Sequence, residues 1–387
     1  MASNSKTMAK AIRAPQRNIE AAVGAAIVNN VKKMAMKKSK LVPKEVFLPR
    51  FGITMYYHER EATSTDGGGE VADKKNQPTV IFCHGISGTA EDFAPEINAL
   101  NIPPHVRILV PEQIGHGRDI ERARADPDNF KQPTSKSMLE STSEFLDEVK
   151  AGNNCNAFGV SLGGGVVYYL RNKRPDIIQR TVLVSPAIVA CIDEELINGI
   201  LDGTNRFFCF ESREDVKLLF RDLSTGRDDT QRKKKDPVPK FFLEYIYRFS
   251  KSSAPEGHWM ALLYSLLKNA GLTHSGTLGQ AHGSIIKDIN ADEGGINPFS
   301  AVTDIDKESH RLVMWPNKDR IINYEKGRSF FEDSIRKEGD TASATRNTEF
   351  ETVPDCGHVF HSDGRMIFSL IRPKVKDFLL NFTSIPS

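Results

Sequence analysis

The sequence predicts an α/β protein: a mostly parallel eight-stranded sheet flanked by helices, with a helical cap inserted after the sixth strand. Three observations carry this. From residue 45 onward, short β-branched runs alternate with longer helical patterns, as in strands joined by crossover helices. Two apolar runs end in glycine turns, at His84-Gly85 and at Gly159-Val-Ser161. The alternation stops at Ser185-Pro186 and resumes only near Arg311, an interruption long enough for a subdomain.

In chain order, the strands fall at 45–48, 53–58, 79–83, 107–110, 156–159, 181–185, 312–315 and 349–353. Residues 66–77, rich in Gly, Asp and Lys, read as a surface loop before the third strand. Helical patterns occupy 92–100, 135–150, 162–173, 324–336 and 366–380. The expected organisation is a basic arm over 1–44, a core formed by 45–186 and 310–387, and a helical cap over 187–309. The cap is aromatic-rich, and Phe242, Tyr245 and Phe249 share one helical face. That stripe suits packing within the cap as well as an acyl pocket.

Composition narrows the function. The chain has 387 residues, 39% hydrophobic and 26% charged, which is the make-up of a soluble globular protein. No apolar run approaches the ~20 residues of a membrane-spanning helix. A formal net charge of +2 offers no global basic field for nucleic acid. Cys83, Cys155, Cys191, Cys209 and Cys356 form an odd, scattered set, which fits reduced intracellular thiols better than disulfides or a zinc site. The basic cluster Arg232–Lys235 reads as a solvated loop.

The charge is unevenly placed. Residues 1–40 carry nine Lys and Arg against Glu20 alone, so the arm is +8 and the remainder −6. Ile19, Val23, Ile27, Val31 and Met34 recur at helical spacing. Such a segment reads as an organellar transit peptide, as a membrane-surface helix, or as an arm that is solvated or packed on the core. The expected location is therefore intracellular, in the cytoplasm, at a membrane surface or after organellar import.

The chemistry is concentrated at strand ends. Gly159-Val-Ser161-Leu162-Gly163 is a G-x-S-x-G sequence between a strand and a helix. A sharp turn there exposes the serine hydroxyl, and its glycines leave room for the neighbouring chain. The amide of Leu162 faces the same spot, where the helix N-terminus favours negative charge. After the third strand, His84-Gly85 leads into a turn that brings the Ile86 amide to the site as a second oxyanion donor. His84 itself reads as a loop-structuring residue. Asp319 follows the seventh strand and His358 the eighth, completing the order Ser, acid, His. Ser161 is the candidate nucleophile, His358 the base and Asp319 the group that orients the imidazole. Asp355 rivals Asp319 but lies too close in sequence to His358, and His361 is the rival base.

These motifs resemble the α/β-hydrolase superfamily over about residues 45–382. More narrowly, the chain looks like the serine hydrolases grouped with monoacylglycerol lipases and related esterases. The matching pieces are His84-Gly85, Gly115-His116-Gly117-Arg118-Asp119, the serine turn, Val184-Ser-Pro186-Ala, Asn317-Lys-Asp319 and Cys356-Gly-His358. Glu112-Gln113 departs from the usual Asp-containing pair, and the cap is longer than usual. The resemblance implies cleavage of a lipid-like carboxylic ester through an acyl-enzyme, with no metal or organic cofactor. It also leaves open C–C bond hydrolases, thioesterases, aminopeptidases and small-molecule receptors that retain the triad.

Overall fold

The computed structural model describes residues 2–63, 77–126, 130, 132–201, 210–223, 239–253, 258–268, 310–338, 347–358 and 365–382. Eight strands form one sheet: β1 (Val42–Leu48), β2 (Ile53–Arg60), β3 (Thr79–Cys83), β4 (Arg107–Pro111), β5 (Cys155–Val160), β6 (Ile178–Val184), β7 (His310–Pro316) and β8 (Thr348–Val353). Their spatial order is β1-β2-β4-β3-β5-β6-β7-β8. The β1–β2 and β2–β4 pairs are antiparallel, and every pairing from β4 through β3 to β8 is parallel. All eight expected strands are present, most of them a residue or more longer at one or both ends.

The central parallel strands, β3 to β7, are buried on both faces, so their side chains alternate between two cores. Ile81, Leu109, Ala157, Leu183 and Val313 point to one of them. There they meet α4 (Ser135–Glu148), α5 (Leu162–Lys173) and α10 (Tyr324–Glu338) through Phe145, Tyr168 and Phe331. Val80, Ile108, Phe158, Val182 and Leu312 point to the other. That side is closed by α2 (Ala94–Leu100) and α11 (Arg365–Leu380), through Ile97, Leu100, Val375 and Leu379. Burying both faces leaves only the strand ends open for chemistry.

The remaining helices are α1 (Ala2–Ser39), α3 (Asp119–Ala125), α6 (Glu194–Leu201), α7 (Arg213–Leu223), α8 (Lys240–Ser253) and α9 (His258–Lys268). The sequence patterns did not mark α3. Between β6 and β7 the described residues are helical apart from short connections. Phe210, Val216, Leu219 and Leu243 make a small core of their own there. Phe242 packs edge-on to Phe220, and Tyr245 stacks on Phe249. Of the aromatic stripe on α8, Phe242 thus packs on a neighbouring helix while Phe249 stays half-exposed.

The basic arm lies against the protein. Its helix α1 packs on α2 and α8, and Ala35 and Met36 join the core beneath. Among the described residues, no helix is long and apolar enough to cross a membrane. Cys83, Cys155, Cys191 and Cys356 are buried thiols, while Cys209 lies outside the described residues. Burial pushes Cys83, Cys155 and Cys191 up to about 12, which keeps them protonated and unreactive.

Candidate active site

The C-terminal ends of β3, β5, β7 and β8 converge on one point. Ser161 sits between β5 and α5 with φ 54° and ψ −120°, a strained conformation for a non-glycine residue. The turn is fixed from several sides. Ser161 N–H donates to Val184 O at 2.9 Å, and Ser161 O accepts from Gly165 N at 3.0 Å and Ala187 N at 2.8 Å. A side chain on Gly163 would run into the carbonyl of Cys83, and one on Gly159 into the backbone of Gly163. Glycine is required because three backbones cross within contact distance.

Ser161 Oγ is 3.0 Å from His358 Nε2. On the far side of the ring, His358 Nδ1 is 2.7 Å from Asp319 Oδ2. The Asp319 side chain is fully buried and that of His358 nearly so. The other carboxylate oxygen, Asp319 Oδ1, accepts from the amides of Ile321 and Ile322, each at 2.9 Å. A buried carboxylate with both oxygens engaged is held in one orientation. It fixes the imidazole with Nδ1 as donor and Nε2 free to accept the serine proton.

The loops bearing Asp319 and His358 are tied together. Asn317 N donates to Val353 O at 3.1 Å, Lys318 N to Cys356 O at 3.2 Å, and Asp355 N to Asn317 Oδ1 at 2.8 Å. Asp355 points outward, its carboxylate 79% exposed and paired with Lys318 at 2.7 Å. The structure therefore brings Asp319, and not Asp355, to the imidazole. His361 lies outside the described residues.

The turn after β3 flanks the serine. A Cβ on Gly85 would lie 3.3 Å from Ser161 Cβ and 3.8 Å from its Oγ, so the chain entering Ile86 passes beside the hydroxyl. Leu162 opens α5 directly after the serine. Gly85, which precedes Ile86, and Leu162, which follows the serine, thus border Ser161. His84 is buried, with Nδ1 donating to Gly85 O at 2.9 Å and Nε2 accepting from Gln113 N at 3.2 Å. Burial lowers its pKa, so it stays neutral and fully committed to the loop.

Sequence reasoning missed two supports of this site. Gln113 clamps the turn from β4, its Nε2 donating to His84 O at 2.6 Å. It stood in the motif only as a departure from the usual pair; its position after a strand facing His84 was the available signal. At the start of the inserted region, Asn323 Nδ2 donates to the Asp193 carboxylate at 3.0 and 3.1 Å, and Lys326 lies 3.2 Å from Asp193 Oδ1. This joins the insert to the loop that holds Asp319. No local pattern signals such a pairing across 130 residues. Among the described residues, no group of three or more His, Cys, Asp or Glu is placed to hold a metal ion.

The chain belongs to the alpha/beta hydrolase fold family, whose pattern matches residues 78–364. Among solved structures, it is similar to a bacterial membrane phospholipase A at 13% identity. That alignment covers 98% of this chain and all of that one, with a TM-score of 0.61. It is also similar to a serine hydrolase from the polyaromatic-hydrocarbon-degrading bacterium Cycloclasticus zankles (14% identity, 88% and 99% coverage, TM-score 0.55). A carboxylesterase from Bacillus subtilis is a third (12% identity, 92% and 98% coverage, TM-score 0.53). At these identities the likeness is one of fold. No curated protein matched the sequence.

Proposed function

We propose that this protein is a serine hydrolase that cleaves carboxylic esters of apolar acyl substrates, in the manner of monoacylglycerol lipases and esterases. The observation that carries the reading is the line Ser161 Oγ to His358 Nε2 to Asp319, at 3.0 and 2.7 Å. His358 takes the hydroxyl proton as Ser161 Oγ attacks the ester carbonyl. The amides of Ile86 and Leu162 stabilise the oxyanion, worth roughly 10²–10³ in rate per donor. Collapse of the tetrahedral species transfers the His358 proton to the leaving alcohol and leaves an acyl-serine. Water then attacks the acyl carbon as it gives a proton to His358, and cleavage of the acyl–Oγ bond returns that proton to Ser161 and releases the acid.

The insert between β6 and β7 serves in this reading as a cap beside the site. Two contacts support it. Ala187, its first residue, bonds Ser161 O at 2.8 Å. At its other described end, His258 Nε2 donates to Gly115 O at 2.8 Å, and Trp259 packs on His116. Likeness in fold to a phospholipase and the aromatic-rich insert favour an acyl chain over a peptide.

The experiment is a substrate panel: p-nitrophenyl butyrate, monoacylglycerols of increasing acyl length, an acyl thioester and an aminoacyl anilide. Steady turnover of the esters, strongest for monoacylglycerols, is expected. Preference for the anilide or thioester would replace the ester assignment, and a single turnover followed by retained ligand would indicate a receptor.

A further inference from the structure

The apolar stripe of α1 is not what holds this helix to the protein. On its inner face Ala21 and Gly24 are buried, and Ala35 and Met36 pack against the core. A Cβ on Gly24 would lie 2.6 Å from Phe241 O and 2.7 Å from Tyr245 Cβ, so α1 and α8 meet nearly backbone to backbone. Polar contacts complete that side. Lys32 Nζ is 2.7 Å from Asp92 Oδ1, Arg17 Nε is 3.7 Å from Glu244 Oε1, and Asn98 Nδ2 donates to Ala35 O at 2.8 Å.

The stripe faces outward. Ile19 is 65% exposed, Val23 43%, Ile27 45%, Val31 55% and Met34 73%. Over these sixteen positions it extends roughly 22 Å along the helix. A continuous apolar row in water marks a surface that something covers. Its surroundings narrow the choice of occupant. Lys33, Lys37, Lys38 and Lys40 are all exposed, and Glu20 is the only acidic residue in the first forty. On the inner face of α1, Asp92 and Glu244 are paired with Lys32 and Arg17. A protein interface core is depleted in lysine. A second copy would set one +8 arm against another, whichever way the helices ran.

We propose that the outer face of α1 is a docking surface for an anionic lipid bilayer. The five apolar side chains enter the headgroup boundary, and the four lysines meet anionic lipid headgroups. Because α8 packs on the inner face of α1, docking leaves the inserted helices one layer behind the docked surface. The inference does not depend on ester cleavage, since binding is read without turnover.

The test is co-sedimentation of the full chain with phosphatidylcholine vesicles, with and without phosphatidylserine, at low and high salt. Ile27→Gln/Val31→Gln shortens the apolar row, and Lys33→Gln/Lys37→Gln/Lys38→Gln removes charge; circular dichroism verifies the fold of both. The wild type should pellet with phosphatidylserine vesicles and release at high salt. Each variant should lower partitioning at least about tenfold. Wild type left in the supernatant with both vesicles, or folded variants binding as well as wild type, would overturn the proposal. So would a dimer in vesicle-free buffer that the Ile27/Val31 variant converts to monomer, which assigns the face to a second copy.

Discussion

At the scale of single residues, the site depends on a strained serine and a fully satisfied carboxylate. Ser161→Ala should leave folding intact and lower kcat for ester hydrolysis by at least about 10³-fold. His358→Ala should cost nearly as much, and the double variant little more, because the two act as a unit. Asp319→Asn should be severely damaging, since an amide cannot keep both backbone donors and also accept from the imidazole. Asp355→Asn should be close to neutral, as that side chain meets only Lys318 in solvent. Steady-state kinetics on purified variants checks all four. Gly163→Ala separates geometry from chemistry: its methyl would meet the Cys83 carbonyl, so denaturation should show a loss of about 2 kcal/mol.

At the scale of elements, burial sets how stability depends on pH. His84, His116 and His258 all have pKa values lowered chiefly by burial. The unfolded chain therefore takes up protons first, near the ordinary value of 6.5, and the folded state is penalised as pH falls below it. Glu96 in the first turn of α2 acts in the opposite sense. Its Oε2 is buried, and desolvation pushes the carboxyl up to about 7 from 4.5. The folded state holds that proton longer, so the cost of ionising it grows as pH rises from 4.5 to about 7. Thermal midpoints should fall from pH 7 to pH 5 in the wild type. Glu96→Gln should add about 1–3 kcal/mol at pH 8 and little at pH 5.

Much of this level was legible in the sequence. Apolar runs marked β3 to β7 because a doubly buried parallel strand leaves few alternatives. The glycines around Ser161 were legible for a related reason: close backbone crossing admits no other residue. The orientation of α1 was not. A stripe at helical spacing shows that one face is apolar, but not which face the protein covers. Here the close approach of α1 and α8 at Gly24 selected the small face, which hydrophobic periodicity does not register. The links Gln113–His84 and Asp193–Asn323 join residues remote in sequence, so only the folded sheet reveals them.

At the scale of the whole molecule, the sheet collects four distant segments at one edge, and the insert is fastened to one of them and to the loop after β4. Residues 84–86, 161–162, 319 and 358 meet only because β3, β5, β7 and β8 run parallel, with all their C-terminal ends on the same side. The helices between β6 and β7 join the Asp319 loop through Asp193 and the loop after β4 through His258.

The central claim is that Ser161 is an activated nucleophile. Intact-mass and peptide analysis after exposure to a fluorophosphonate tests it most directly, because the probe reacts with a serine hydroxyl only where a base and oxyanion donors are assembled. The account predicts one adduct per chain, on the peptide containing Ser161, absent in Ser161→Ala and strongly slowed in His358→Ala. An adduct on another residue, or labelling of folded Ser161→Ala at the wild-type rate, would contradict it.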